Sequence, residues 1–264
     1  MPFEKFKLDK KCALITGASG LLGKEHAIAL LEADAHVIIT DINSQQLNSR
    51  FEELSTDFGS DRITKIIMDV SKKENIHSAL KKIKLKKYRI DILLNNAAID
   101  SKVHNKLNLN NRSRMENFSL NDWNKEIEVG LTGAFMCCQI FGSEMAKDSR
   151  GGVILNIASD LSVISPDQRL YKLKDLSNNK QPVKPVTYSV IKSGLVGLTK
   201  YVATYWAEQN IRCNSISPGG IFNNQDKLFV DRIKKLIPMN RMAQREEYRS
   251  SIQYLCSDAS SYMT

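Results

Sequence analysis

The chain has 264 residues, 42% of them apolar and 25% charged, which suits one α/β domain with a full core and excludes a disordered chain. No run of about 20 apolar residues occurs, so no membrane-spanning helix is expected, and the charged start, Met1 to Lys11, leads into too short an apolar run for a signal peptide. The formal net charge is +9, but the densest basic run, Lys81 to Lys87, interleaves no aromatic residues, so no nucleic-acid partner is expected.

In chain order, a short apolar run at Cys12–Thr16 is followed by a helical pattern from Leu21 to Glu32. A second strand at His36–Thr40 precedes a helix over Ser44–Phe58, with Gly59 placed to close it. Arg62–Met68 reads as a third strand, and Ser71-x-x-Glu74 as a capping box opening the third helix. Within that helix Ile76, Leu80 and Ile83 keep amphipathic spacing, which makes Lys81–Lys87 a solvated face. Ile90–Asn95 is a fourth strand, and Ser119-x-x-Asp122 opens a long helix reaching about Met145. Val153–Ala158, a helix over Thr187–Glu208 and a strand at Arg212–Ser217 complete the pattern.

Strict alternation of strands and helices predicts the α/β class: a doubly wound parallel sheet with helices on both faces. Such sheets bind ligands beyond the carboxyl ends of their strands. The five cysteines (Cys12, Cys137, Cys138, Cys213, Cys256) are scattered, as are the histidines (His26, His36, His77, His104). Neither a disulfide framework nor a metal site is expected, and a reducing, cytoplasmic setting is.

After the first strand comes Thr16-Gly17-Ala18-Ser19-Gly20-Leu21-Leu22-Gly23. Glycines there permit a tight turn, and the helix start offers free N–H groups to a pyrophosphate. Gly17, Ser19, Gly20 and Leu22 are therefore candidate cofactor contacts. Asp41, 18 residues after Gly23 and followed by Ile42, can accept hydrogen bonds from the adenosine ribose and repel a 2′-phosphate. It can equally cap the helix near Ser44. No Arg stands at 40 or 42, so NAD is expected rather than NADP. Asp69 and Val70 are placed to reach the adenine, and Asn95 to Ala97 to pass beneath the ribose.

Tyr188 and Lys192 are spaced i, i+4 on one helix face. A phenol titrates near about 10 in isolation, and a neighbouring ammonium favours its anion. The pair is a candidate acid/base. Ser159, at the end of the fifth strand, is placed to hold the reacting oxygen, or to cap a turn. Pro218, Gly219 and Ile221 follow the sixth strand and are candidates to border the nicotinamide, or to form an ordinary turn.

Taken together, Gly17/Gly20/Gly23, Asp41, Asp69, Asn95-Asn96-Ala97, Ser159, Tyr188/Lys192 and Pro218-Gly219 resemble the short-chain dehydrogenase/reductase family nearly end to end. The resemblance implies a single-domain Rossmann fold over 1–264 and a homodimer or homotetramer packed through two long helices. It also implies Tyr188 as proton donor and acceptor, Lys192 on the nicotinamide ribose and Ser159 orienting substrate. Within the family, the stretches Ile15–Glu25 and Ile216–Gln225 are similar to those of bacterial flagellin-modification and surface-sugar oxidoreductases. That likeness implies a sugar or sugar-nucleotide substrate on a path to a nonulosonic acid.

Four departures stand out. Leu21 occupies the place of a family glycine. Gly130 replaces an Asn that anchors a proton relay. Asn223 stands where a Thr contacts the carboxamide. Ser159 and Tyr188 lie 29 residues apart, a longer interval than most members have. The extra residues carry Arg169, Tyr171, Lys172, Lys174 and Lys184, and are expected to form a flap, about 160–186, whose cations face an anionic substrate. A solvated surface loop is the other reading. The family's last strand is expected to be missing after Thr264. The functional expectation is hydride transfer between a nicotinamide and an alcohol or ketone. A 3-oxoacyl-thioester reductase and a low-turnover nucleotide-binding scaffold are the alternatives.

Overall fold

The computed structural model describes residues 2–99, 112–148, 150–174 and 176–264. Six strands, β1 Cys12–Thr16, β2 His36–Asp41, β3 Ile63–Ile67, β4 Ile92–Asn95, β5 Gly152–Ile157 and β6 Ile211–Ile216, form one sheet in the order β3-β2-β1-β4-β5-β6. Every pairing is parallel. The strand order reverses between β1 and β4, which opens a crevice at their carboxyl ends.

The helices are α1 Leu21–Glu32, α2 Ser44–Phe58, α3 Lys73–Leu85, α4 Leu120–Ile127, α5 Gly133–Cys137, α6 Ser143–Met145, α7 Val186–Tyr205, α8 Lys227–Ile233 and α9 Arg249–Cys256. Strand side chains alternate between two cores, as the two-residue period requires. Ala13, Ile15, Val37 and Ile39 pack with Leu30 of α1, Leu54 of α2 and Ile252 of α9. Leu14 and Ile38 point the other way, into Ile76 and Ile83 of α3, Val202 of α7, and Phe141, which lies between α5 and α6. No helix among the described residues is long and apolar enough to cross a membrane.

The predicted elements recur with three local corrections. The capping box at Ser71 is not formed: its hydroxyl and N–H both donate to Asp69 Oδ1, at 2.7 and 2.9 Å. Lys72 is the N-cap instead, because the nearer carboxylate captures the serine before the helix can. The helix opened by Ser119 does reach Met145, but π-helical turns at Glu128–Thr132 and Cys138–Gly142 divide it into α4, α5 and α6. The third strand stops at Ile67 and the fourth begins at Ile92. The run at 81–87 is the solvated side of α3, with Ile76, Ala79 and Ile83 buried beneath it.

Residues after α9 return to β6. Arg212 donates to the carbonyls of Leu255, Ser257 and Met263, and Cys213 N–H to Thr264 Oγ1. The 160–186 segment packs on α8. The Tyr171 and Phe229 rings lie 5.6 Å apart, and Arg232 donates to the carbonyls of Arg169, Leu170 and Lys172.

Candidate active site

The glycine turn begins with Gly17 at φ +64, where a Cβ would stand 2.8 Å from the Ala97 backbone. Only glycine lets β1 and the end of β4 approach this closely. Thr16 Oγ1 stitches the same junction by accepting from Asn96 N–H and Ala97 N–H, each at 3.0 Å. Gly20 is the N-cap of α1 and gives it no side-chain cap, so the first-turn N–H groups are open to an anion. The Ser19 hydroxyl is buried and finds no partner. A tight cradle, an uncapped helix start and an orphaned hydroxyl fit a dinucleotide pyrophosphate.

Asp41, at the end of β2, accepts from Ser19 N–H at 3.1 Å and Asn43 N–H at 3.0 Å. It does not cap α2; Asn43 does, through Gln46 N–H. With two acceptor bonds used, the carboxylate keeps lone pairs for ribose hydroxyls. Sequence reasoning passed over Arg50, which donates to Ser19 O at 3.2 Å and pairs with Glu53. Nothing in the local sequence marks it, because α2 carries it to the turn across 31 residues.

Several predicted contacts point elsewhere. The Asn95 side chain is buried and donates to Asn156 Oδ1 at 2.8 Å and Cys138 Sγ. It is Asn96 that reaches the glycine turn, donating to Thr16 O and Gly17 O. Val70 is buried in the core and Asp69 is engaged with Ser71, whereas Ile42 is exposed. Of the four histidines, His104 lies outside the described residues.

Beyond the carboxyl ends of β4, β5 and β6 lies a cleft of about 650 Å3. Ser159, Tyr188, Lys192, Pro218, Gly219, Ile221 and Leu22 all line it, so residues distant in sequence converge there. Lys192 is 6% exposed and its Nζ donates to Ile157 O at 2.7 Å. That bond aims the ammonium at the Tyr188 ring, 5.7 Å from its centre. A second ammonium, from Lys184, lies 3.7 Å from the same ring centre. Thr187 donates to the buried Glu126 carboxylate, which ties the start of α7 to α4. Two ammonium groups thus face the ring of a tyrosine that lines the cleft, and a phenol so placed can exchange a proton with a bound alcohol or ketone.

Ser159 donates to Asp160 Oδ1 at 2.7 Å and accepts from Leu161 N–H at 3.2 Å. It therefore caps the turn Asp160–Ser162 while facing the cleft. Asp160 and Tyr248 also line the cleft, and sequence reasoning missed both. The position of Asp160 beside Ser159 was the available signal for the first. The Tyr248 hydroxyl accepts from Gly219 N–H at 3.0 Å, a contact across 29 residues that no motif announces.

Among the expected flap cations only Lys184 lines the cleft. Arg169 is exposed and held by Asp167, so its charge is spent locally. Lys172 and Lys174 are absent from the lining. The expectation of several cations over the pocket reduces to one, because the segment anchors its apolar residues, Leu170 and Tyr171, inward instead.

A short chain dehydrogenase family model matches residues 11–171, and an enoyl-(acyl carrier protein) reductase model matches residues 176–264. The chain is 31% identical to the NAD-dependent glycerol dehydrogenase of Listeria innocua, over 99% of this chain and 93% of that one. It is 30% identical to the D-threitol dehydrogenase of Mycolicibacterium smegmatis, over 96% and 88%, and 32% identical to a 3-oxoacyl-[acyl-carrier-protein] reductase of Aquifex aeolicus, over 98% and 95%. A Leptospira borgpetersenii short chain dehydrogenase with bound NAD+ superposes with a TM-score of 0.82 at 29% identity, over 98% and 90%. A Burkholderia cenocepacia gluconate 5-dehydrogenase in complex with NADP and tartrate gives 0.82 at 25%, over 99% and 94%. Fold, strand order and sequence likeness agree across nearly the whole length, and the chain belongs to the short-chain dehydrogenase/reductase family, as an oxidoreductase acting on CH–OH groups.

Proposed function

We propose that this chain uses NAD(H) to interconvert an alcohol and a ketone on a polyhydroxylated, acidic substrate. The class is a sugar acid, sugar or sugar nucleotide of the kind consumed in surface-glycan and flagellin-modification (nonulosonic acid) synthesis. The observation that carries this reading is the Tyr188 ring, faced by both Lys192 and Lys184 in a cleft that Ser159 shares. Relatives named for glycerol, threitol and gluconate support a polyhydroxylated substrate. Lys184 supports an acidic one, since a cation in a cleft favours a carboxylate or phosphate.

A bound nicotinamide dinucleotide supplies or accepts the hydride. Tyr188 Oη takes the hydroxyl proton in the oxidising direction and returns it in the other. Lys192 holds positive charge beside the phenol and is the candidate contact for the nicotinamide ribose. Ser159 binds the reacting oxygen. Gly17, Ser19, Gly20 and the start of α1 would hold the pyrophosphate, and Asp41 the adenosine ribose. Asp41 supports NAD over NADP because its charge repels a 2′-phosphate, and the Arg50 charge is answered by Glu53. Phe135 on α5 and Val190, Tyr201 and Tyr205 on α7 are exposed, which supports a homo-oligomer paired through these helices.

A 3-oxoacyl-thioester reductase is favoured by one of the relatives, but a carboxylate and an ammonium in the cleft, Asp160 and Lys184, suit a polyol acid better than an acyl chain. NADH formation with glycerol, threitol, gluconate and phosphorylated or nucleotide-linked sugars tests the proposal. Turnover on at least one, abolished by Tyr188→Phe with cofactor affinity retained, is expected. Cofactor binding without turnover on any of them, or on an oxoacyl thioester, would leave a scaffold.

A further inference from the structure

Asp160 divides its carboxylate between the fold and the cleft. Oδ1 is engaged: it accepts from Ser159 Oγ at 2.7 Å and from Leu161 N–H at 2.8 Å. Oδ2 has neither a hydrogen-bond donor nor a cationic partner among the described residues. The backbone beneath it is fixed, since Asp160 N–H donates to Pro218 O at 3.0 Å. The side chain is half-buried and lines the cleft with Ser159, Lys184 and Tyr188. Space is open beside Oδ2. A Cβ placed on Gly219 would meet Oδ2 at 3.9 Å and, its chain neighbours aside, no nearer atom of the described residues. A carboxylate oxygen held in a cleft without a donor is a place for a donor carried by the ligand.

We infer that Asp160 Oδ2 accepts a hydrogen bond from a second substrate hydroxyl, on the carbon next to the reacting one, and so selects vicinal diols over simple alcohols. The protons balance. The reacting hydroxyl gives its proton to Tyr188, while the neighbouring hydroxyl has one of its own, keeps it through the reaction and donates it to Oδ2. Both oxygens of a carboxylate sit on one carbon, so Oδ2 lies within a few ångström of Ser159 Oγ. Oxygens on adjacent carbons bridge such a span, one at Ser159 and the other at Asp160. An ammonium is the other donor a carboxylate takes, but Lys184 and Lys192 face the same cleft and the chain carries a net charge of +9, which repels a cationic substrate. The alcohol and its hydroxyketone product make the contact alike, so it contributes uniform binding and acts on KM more than on kcat. The inference rests on the alcohol–ketone reading above and adds to it a specificity-determining residue.

The probes are the stereoisomers of butane-2,3-diol and the enantiomers of butan-2-ol, which differ by the one hydroxyl. Each competes with whichever of glycerol, threitol or gluconate the chain oxidises with NAD+. Consumption of that polyol is followed by chromatography, so an inhibition constant is obtained whether or not the probe itself turns over. In the wild-type chain the best diol is expected to compete at least about tenfold more strongly than butan-2-ol, the worth of one hydrogen bond to a charged group. Asp160→Ala should bring the ratio to about one by weakening the diol and leaving butan-2-ol unchanged. Release of the Ser159 hydroxyl in that variant touches both probes equally and cancels in the ratio. Asp160→Asn keeps a hydrogen bond but not the charge and should give an intermediate ratio. A wild-type ratio near one, or a ratio unchanged in Asp160→Ala, overturns the inference and leaves the proposed reaction standing. Should Asp160→Ala not fold, an Asp160→Asn ratio equal to that of the wild type overturns it. Stronger competition by 3-aminobutan-2-ol than by the diol also overturns it, since the carboxylate then reads a cation. No oxidation of glycerol, threitol, gluconate or the phosphorylated and nucleotide-linked sugars removes the proposed reaction, and the inference with it.

Discussion

Gly130 and Ile191 are fitted to one another: a Cβ placed on Gly130 would lie 2.8 Å from Ile191 Cγ2. Gly130 sits in the first π-helical turn after α4, and Ile191 on α7 directly before Lys192. The position where the family resemblance implies a relay Asn is thus filled from across the interface by a branched apolar side chain. Gly130→Asn is expected to overpack this contact and lower stability by about 1–3 kcal/mol. The double change Gly130→Asn with Ile191→Ala should recover most of that loss. Urea denaturation of the three variants measures it, and additive losses would refute the pairing.

Asp41 is the residue expected to set the cofactor preference. Asp41→Ala removes the charge that faces a 2′-phosphate, and also the anchor of Ser19 N–H. The NAD/NADP ratio of kcat/KM should fall at least about tenfold, which corresponds to ~1.4 kcal/mol. Initial rates with the two cofactors at fixed substrate decide it. A wild-type chain already preferring NADP contradicts the reading.

Lys184 should separate acidic from neutral substrates. In Lys184→Met, KM for a carboxylated or phosphorylated substrate is expected to rise about tenfold, and KM for a neutral polyol to change less than about twofold. Lys184→Arg keeps the charge and should restore much of the difference. Equal effects on both substrate classes would show that Lys184 serves only the Tyr188 ring.

Arg232 fastens the 160–186 segment to α8 by donating to three carbonyls. Arg232→Ala should speed proteolytic cleavage near residues 167–174 and raise KM, with a smaller effect on kcat. Of the three residues so held, only Leu170 lines the cleft, so binding should suffer more than turnover. Timed proteolysis alongside steady-state kinetics reads both effects.

His26 gives the fold a pH dependence. It is fully buried in α1, neither ring nitrogen has a hydrogen-bond partner, and burial pushes its pKa down to about 3. Unfolded, the ring takes up a proton near pH 6.5. The unfolded chain therefore binds more protons between these values, and the contribution of His26 is complete above about pH 6.5 and is lost as pH falls toward 3. Between pH 7 and pH 5 the loss is about 2 kcal/mol. His26→Leu should remove this part of the slope without lowering stability at pH 7, since it deletes two unsatisfied buried atoms. Urea titrations at the two pH values check it.

The sequence by itself determined the succession of strands and helices, because short continuous apolar runs and apolar spacing near 3.6 are local properties. The runs Cys12–Thr16 and Ser44–Phe58 coincide with β1 and α2. The strand-end rule then placed Gly17, Asp41 and Ser159 at one edge, since a parallel sheet exposes its carboxyl ends together, and the i, i+4 spacing put Tyr188 and Lys192 on one face of a helix. What only the tertiary structure decided were contacts made across elements. Asn95 turns into the core while Asn96 reaches the glycine turn. Arg169 is held by Asp167 while Lys184 reaches Tyr188. Asp160 accepts a hydrogen bond from Ser159, and Gly130 yields its space to Ile191. Periodicity says that a side chain faces one side of an element. Which neighbour receives it depends on packing and hydrogen-bond geometry between segments far apart in the chain, and that information is not local.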